Sequence, residues 1–312
     1  MERSGQTMKF EELKKILASK IEFKDFDDPD VVKINAGIVS NHKYKIKSHN
    51  SSFFVKEIKD NEANILKILD MIDLDFYPKI LYLDLLDKNI LVSEFIEGDA
   101  LQSWEIQDNL LLGFTQMQNL MNNISFLKEK EIFGISNFSE TDGGFFRNQI
   151  TENFLYGLET LDDLSKTNLP IVKKHFELVS FLKKDKQKIF DDFSNMPFAR
   201  QHHDFKQDNI IGNPQKLVDW GSSYGYGPFL FDLAPFLLNN KNQLELYKSK
   251  SDVCKGFTDR QINRWLYVAA VARYMEDLRY RISDNGWNSS KEKCERFLES
   301  EYDNYQSLLD KI

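Results

Sequence analysis

Two hydrophobic periods divide the chain. Between residues 31 and 97, apolar positions come in short alternating runs. Val31, Val32 and Ile34 are followed by Tyr44 and Ile46, then by Phe53, Phe54 and Val55, with Gly, Ser and Asn clustered between them. Alternation bounded by turn residues predicts three strands in an antiparallel meander. Residues 61–72 switch to helical spacing, carried by Ile65, Leu66, Ile68 and Leu69. Two more strands are predicted at residues 79–86 and 90–96, around the Asp87-Lys88-Asn89 turn. After Gly98 the period is helical, with apolar stripes at 110–127, 148–161, 171–193 and 261–281. The exception is residues 200–221, where polar residues cluster around short apolar pairs. The pattern predicts an α+β fold in two lobes: an antiparallel sheet with one helix over residues 1–97, and a mostly helical part over residues 98–312. Residues 1–7 are polar and read as a leader or tag.

Composition narrows the function classes. With 312 residues, 41% hydrophobic and 29% charged, the chain has an ordinary globular composition and suits two lobes rather than one small core. A net charge of -8 argues against a general nucleic-acid surface and suits cationic partners. No apolar run reaches the length of a membrane span, and no signal-peptide pattern opens the chain. Cys254 and Cys294 lie far apart in helical patterns and read as free thiols in a reducing, cytoplasmic setting.

The exceptional stretch carries chemistry. It reads His202-x-Asp204-x-Lys206-x-x-Asn209, then Ile210-Ile211, then Asp219-Trp220-Gly221. A carboxylate, a cation and hard oxygen donors in one segment are what phosphoryl transfer requires. Two other assignments compete: a solvated polar turn, or a metal cluster of His202, His203, Asp204 and Asp208. Neighbouring histidines in extended chain point to opposite sides, which disfavours a shared metal. The spacing matches the kinase pattern H-R-D-L-x-x-x-N followed by D-F-G.

The first lobe offers further candidates. Gly37, Ser40 and Asn41 occupy the turn after the first strand, where backbone N–H groups can cradle phosphates, although a lone glycine by itself favours a plain hairpin turn. Lys56 ends the third strand; its competing assignment is a solvent-facing strand lysine. Glu62 follows six residues later, in the predicted helix, where a surface glutamate is the alternative to pairing with Lys56. Glu94, Phe95 and Ile96 close the fifth strand, where the two lobes would connect.

Taken in order, these motifs and Phe231-Asp232-Leu233-Ala234 resemble the aminoglycoside phosphotransferase and choline kinase family, over about residues 31–238. No A-P-E segment follows Asp219, which separates the chain from protein kinases. The resemblance implies a bilobal protein-kinase-like fold with its active site between the lobes. It implies transfer of the γ-phosphoryl group of ATP or GTP, with Mg²⁺, to a hydroxyl of a small molecule. It makes Asp204 the catalytic carboxylate and Asn209 and Asp219 the metal ligands. Lys56, paired with Glu62, would grip the phosphates, and the Glu94–Ile96 connector would meet the base. His202 and Asp232 would be scaffold. Lys206, where the small-molecule branch often has histidine, would neutralise the moving phosphoryl group.

The acceptor end is less specific. The chain's acidity, Asp142 in a loop of turn residues and Glu276 on an apolar helix stripe suggest a cationic acceptor. Tyr224, Tyr226, Trp265 and Trp287 could stack on a sugar or an amine, with packing in the core the competing assignment. Arg279 lies three residues from Glu276, and Asp277 has Arg273 and Arg281 at four-residue spacing, so ion pairs within the helix also account for the charge. An aminoglycoside or amino sugar is the favoured acceptor and choline or a related amino alcohol the alternative. A catalytically silent nucleotide-binding module is the rival from another class.

Overall fold

The computed structural model describes residues 30–34, 43–48, 51–58, 60–84, 89–122, 142–165, 170–222, 226–279 and 299. They fall into two compact units: residues up to 101 together with 208–223, and residues 102–207 together with 224 onward.

The first unit is built on the five strands predicted from alternation: β1 (Asp30–Lys33), β2 (Lys43–Ser48), β3 (Ser51–Glu57), β4 (Ile80–Asp84) and β5 (Ile90–Glu94). They form one sheet in the order β1-β2-β3-β5-β4, antiparallel throughout. Ile46, Phe53, Val55, Ile90 and Val92 make a buried apolar cluster. Side chains alternate across a strand, so Lys56 belongs to the face opposite Val55. Helix α1 (Asp60–Ile72) buries Ile65, Leu66, Ile68 and Leu69.

A short hairpin, β7 (Ile210–Ile211) with β8 (Lys216–Leu217), belongs to the same unit. The Leu101 N–H donates to the Ile210 carbonyl at 2.9 Å, and the Leu217 N–H to that of Phe76 at 2.8 Å. Two glycines permit this close approach. Gly98 has φ 123° and Gly212 φ 84°, and a Cβ on Gly212 would lie 2.5 Å from Ile96 Cγ2. A side chain at position 212 would therefore push the 95–101 connector off the hairpin.

The second unit holds the helices α2 (Asp108–Asn122), α3 (Asp142–Ser165), α4 (Pro170–Asn195), α5 (Ala234–Leu237), α6 (Lys241–Lys250) and α7 (Asp259–Leu278). A two-stranded pair, β6 (Phe198–Arg200) with β9 (Tyr226–Pro228), delivers the chain to residues 201–207. Buried Gln118 of α2 anchors that pair, donating to the carbonyls of Arg200 and Phe229 at 3.2 and 3.1 Å. Helix α7 is the centre of this unit. It starts with a Thr258/Gln261 capping box, and every residue from Trp265 to Met275 is buried. No helix among the described residues is long and apolar enough to cross a membrane.

Candidate active site

In the first unit, strand end and helix start bring three charges together. Lys56 is the next-to-last residue of β3, and Glu62 lies in the first turn of α1, so a six-residue separation suffices for contact. Lys56 Nζ lies 2.7 Å from Glu62 Oε1 and 3.0 Å from Asp219 Oδ1. Lys56 and Glu62 are 4% and 3% exposed, whereas the Asp219 side chain is 44% exposed. Burial pulls the ammonium pKa down, but Glu62 and Asp219 outweigh it and hold the group above its ordinary value. Lys56 is therefore a buried, protonated cation.

The hairpin explains where Asn209 and Asp219 stand. Ile210 pairs with Leu217, and the next residue outward, Val218, donates its N–H to the Asn209 carbonyl at 2.8 Å. Asn209 and Asp219 thus flank the open end of one hairpin. Asp219 has φ 57°, a left-handed conformation that costs about 1 kcal/mol or more for a non-glycine residue.

The connector is already engaged. The Phe95 N–H donates to the Ser52 carbonyl at 3.1 Å, and Glu94 Oε1 accepts from the Lys79 N–H at 2.9 Å. Neither the Phe95 amide nor that carboxylate oxygen stands open to a base. Lys45 Nζ sits 4.0 Å from the Phe95 ring centroid and 2.6 Å from Glu97 Oε1, while Ile96 packs on Gly212.

In the second unit the polar loop hangs from one buried carboxylate. The consecutive N–H groups of His202 and His203 both donate to Asp232, which is fully buried. His203 reaches it by adopting φ 68°. Burial raises the Asp232 pKa to about 6, against the opposing pull of Arg273 and the two backbone donors. His202 Nδ1 accepts the Asp204 N–H at 3.2 Å, so this ring braces the loop. Phe205 anchors the other side of the chain, with its ring centroid 5.0 Å from Phe114 and 5.2 Å from Phe236. Asp204 is left at the surface, its side chain 27% exposed, with Lys206 Nζ 2.9 Å from its Oδ1.

Behind the loop stands Arg273 of α7, 5% exposed. Its Nη1 donates to the His203 carbonyl at 3.1 Å and to Glu276 Oε2 at 2.9 Å. Its Nη2 is 4.0 Å from Asp204 Oδ1, and its Nε 3.8 Å from Asp277 Oδ2. Glu276 Oε1 accepts from Asn153 Nδ2 of α3 at 3.1 Å, and Arg279 donates to Asn153 Oδ1. Burial raises Glu276 to about 7, with Arg273 opposing.

Glu276 is therefore part of an internal network. Trp265, 6% exposed, packs edge-on against Phe257 and Phe229, with centroids 4.8 and 6.0 Å away. Asp142 begins α3, and its side chain lies outside the described residues, as do Gly37, Ser40, Asn41, Tyr224, Arg281 and Trp287. Among the described residues no group of three His, Cys, Asp or Glu is placed to hold a metal. Helical spacing assigned Arg273 to Asp277 alone; its contacts with the loop, 70 positions away, were not read. The available sign was a charged residue four positions after Ala269 on the α7 stripe.

No model of a known protein family matches the sequence. No curated protein matches it significantly either. Solved structures do match. A spectinomycin phosphotransferase, in complex with ADP and spectinomycin, superposes with TM-score 0.53 at 14% identity, over 98% of this chain and 99% of that one. An ethanolamine kinase from Plasmodium vivax gives TM-score 0.52 at 15% identity, over 96% of this chain and 92% of that one. The chain has their kinase-like α+β fold, with an antiparallel-sheet N-terminal region and a helical C-terminal part.

Proposed function

We propose that the chain is a small-molecule kinase, moving the γ-phosphoryl group of a nucleoside triphosphate to a hydroxyl of a small acceptor. The observation that carries this is the buried, protonated Lys56 between Glu62 and the half-exposed Asp219. A structural ion pair needs one carboxylate; a second, reaching toward solvent, suits a cation that grips phosphate beside a metal ligand. The fold supports the same reading, since one similar structure holds ADP and another is an ethanolamine kinase.

In this reading Asp204 accepts a hydrogen bond from the acceptor hydroxyl and takes its proton as the oxygen–phosphorus bond forms and the bond to the leaving diphosphate breaks. Lys206, 2.9 Å from Asp204, supplies positive charge as negative charge spreads over the phosphoryl oxygens. Asn209 and Asp219 fit Mg²⁺ as ligands, being hard oxygen donors placed at one end of a hairpin. A bound Mg²⁺ would neutralise phosphate charge there. Lys56 would hold phosphate oxygens, and the backbone of the connector beyond Phe95 would face the base.

For the acceptor we keep an amine-bearing hydroxyl compound, aminoglycoside or amino sugar first and amino alcohol second. Glu276 is engaged by Arg273 and Asn153, so an acceptor ammonium group has to be met by other residues.

Nucleotide consumption against aminoglycosides, amino alcohols and matched neutral sugars tests this reading. Asp204→Asn should lower kcat by about 10³-fold or more while nucleotide binding persists. Turnover near normal in the folded variant would remove Asp204 from the mechanism, and absence of turnover with every acceptor would favour the silent module.

A further inference from the structure

We infer that Arg273 is a positioning residue for Asp204, holding the polar loop through the His203 carbonyl while Glu276 and Asn153 hold Arg273. The inference rests on the phosphotransferase reading for its kinetic consequence, but not for its geometry.

The chain of contacts runs in one direction. Asn153 of α3 donates to Glu276 Oε1 at 3.1 Å, and Glu276 Oε2 takes Arg273 Nη1 at 2.9 Å. The same Nη1 donates to the His203 carbonyl at 3.1 Å. His203 is the loop residue with φ 68°, and its own N–H is held by Asp232. Both sides of the His203 backbone are thereby clamped, the N–H from Asp232 and the carbonyl from Arg273. The next peptide unit leads to Asp204, whose Oδ1 lies 4.0 Å from Arg273 Nη2.

An arginine suits this task and a lysine does not. The planar guanidinium offers five donors in a rigid fork, so it can bond a backbone carbonyl and a carboxylate while presenting another N–H edge elsewhere. It is also fixed in place, with the guanidinium 5.6 Å from the Phe231 ring centroid. At 4.0 Å from Asp204 it acts as a nearby positive charge more than as a hydrogen-bond donor. That leaves the carboxylate oriented through the backbone. A left-handed residue held at both its N–H and its carbonyl keeps a geometry it would otherwise leave.

Arg273→Ala should lower kcat by about 10²-fold, the scale of a 1 Å misplacement of a reacting group. The Kd for nucleotide should change less than about twofold, since Lys56, Glu62 and Asp219 lie in the first unit. Arg273→Lys keeps charge but loses the fork, and should fall between wild type and Ala. The deciding step is the combination with Asp204→Asn. A residue that acts through Asp204 adds little to a variant already lacking that carboxylate, so the double variant should turn over within about threefold of Asp204→Asn. A full further 10²-fold drop would overturn the inference, as would wild-type kcat in folded Arg273→Ala or Arg273→Lys. Amide hydrogen exchange at residues 202–206 separates the two levels. Faster exchange there in Arg273→Lys, with the rest of α7 unchanged, supports the clamp even if no acceptor is phosphorylated. Unchanged exchange in that segment refutes the clamp, whatever the activity.

Discussion

Each unit buries one cation among carboxylates, and the two arrangements share a division of labour. Lys56 sits between Glu62, 4% exposed at the side chain, and Asp219, 44% exposed. Arg273 sits among Glu276, 12% exposed, Asp277, 17% exposed, and Asp204, 27% exposed. In both, the most buried carboxylate bonds the cation and the one nearest solvent is the one assigned chemistry. They differ in reach. Lys56 contacts its working carboxylate directly at 3.0 Å, as a point charge on a flexible stem can. Arg273 stays 4.0 Å from Asp204 and works on the backbone before it. In the proposed mechanism the first cation releases Asp219 to take phosphate, and the second stays where it is.

The comparison breaks hardest at Lys56. Lys56→Met leaves Glu62 buried without its cation, and losing one partner of a buried pair costs about 3–5 kcal/mol. Urea unfolding should show that loss, and Lys56→Met combined with Glu62→Leu should recover most of it, since an apolar pair of similar volume needs no partner. If the single variant is as stable as wild type, the pair is not the anchor described above.

Asp219→Ala tests the exposed member. Its stability cost should stay within about 1 kcal/mol, because solvent screens a half-exposed carboxylate. Nucleotide affinity should fall about tenfold or more and lose its response to Mg²⁺, which titration calorimetry with and without the ion can read. Affinity that still rises with Mg²⁺ would take Asp219 out of the metal site.

These two regions were unequally legible. Strand alternation and a six-residue offset were enough to bring Lys56 and Glu62 together, because a strand end and the next helix start are local. The Asp204 segment was legible because its spacing is rigid: a hairpin of two-residue strands fixes how far Asp219 follows Asn209. The role of Arg273 was not legible. Helical spacing speaks for partners three or four residues away, and it correctly placed Asp277 near this side chain, but it set Glu276 against Arg279, whereas Glu276 bonds Arg273. It says nothing about a carbonyl 70 residues earlier in sequence, nor that Asn153 of another helix would take the second Glu276 oxygen. The same gap made Glu276 look like an acceptor ligand. A carboxylate on an apolar stripe signals a buried polar partner, but that partner can be protein as easily as substrate.

The smallest expected effect concerns Glu276 and sharpens the contrast most. Burial lifts its pKa from 4.5 to about 7 despite Arg273. A raised value means the folded protein holds the proton more tightly than the unfolded chain does. The contribution is therefore complete below about pH 4.5 and is lost as the pH climbs through about 7. Glu276→Gln has no proton to lose and keeps one oxygen acceptor, for Arg273 or for Asn153, while its NH2 faces the other donor. Its Tm should start below wild type in mild acid, where the neutral acid already serves, and gain on wild type as pH rises toward 7.5, by on the order of a few degrees. Asp232, held near 6, titrates in the same window and feels the Glu276 charge, so the difference reads the two carboxylates together. Paired thermal melts across this range decide the matter. If the variant instead loses ground as pH rises, Arg273 outweighs burial and Glu276 is an ordinary ion-pair partner, charged throughout.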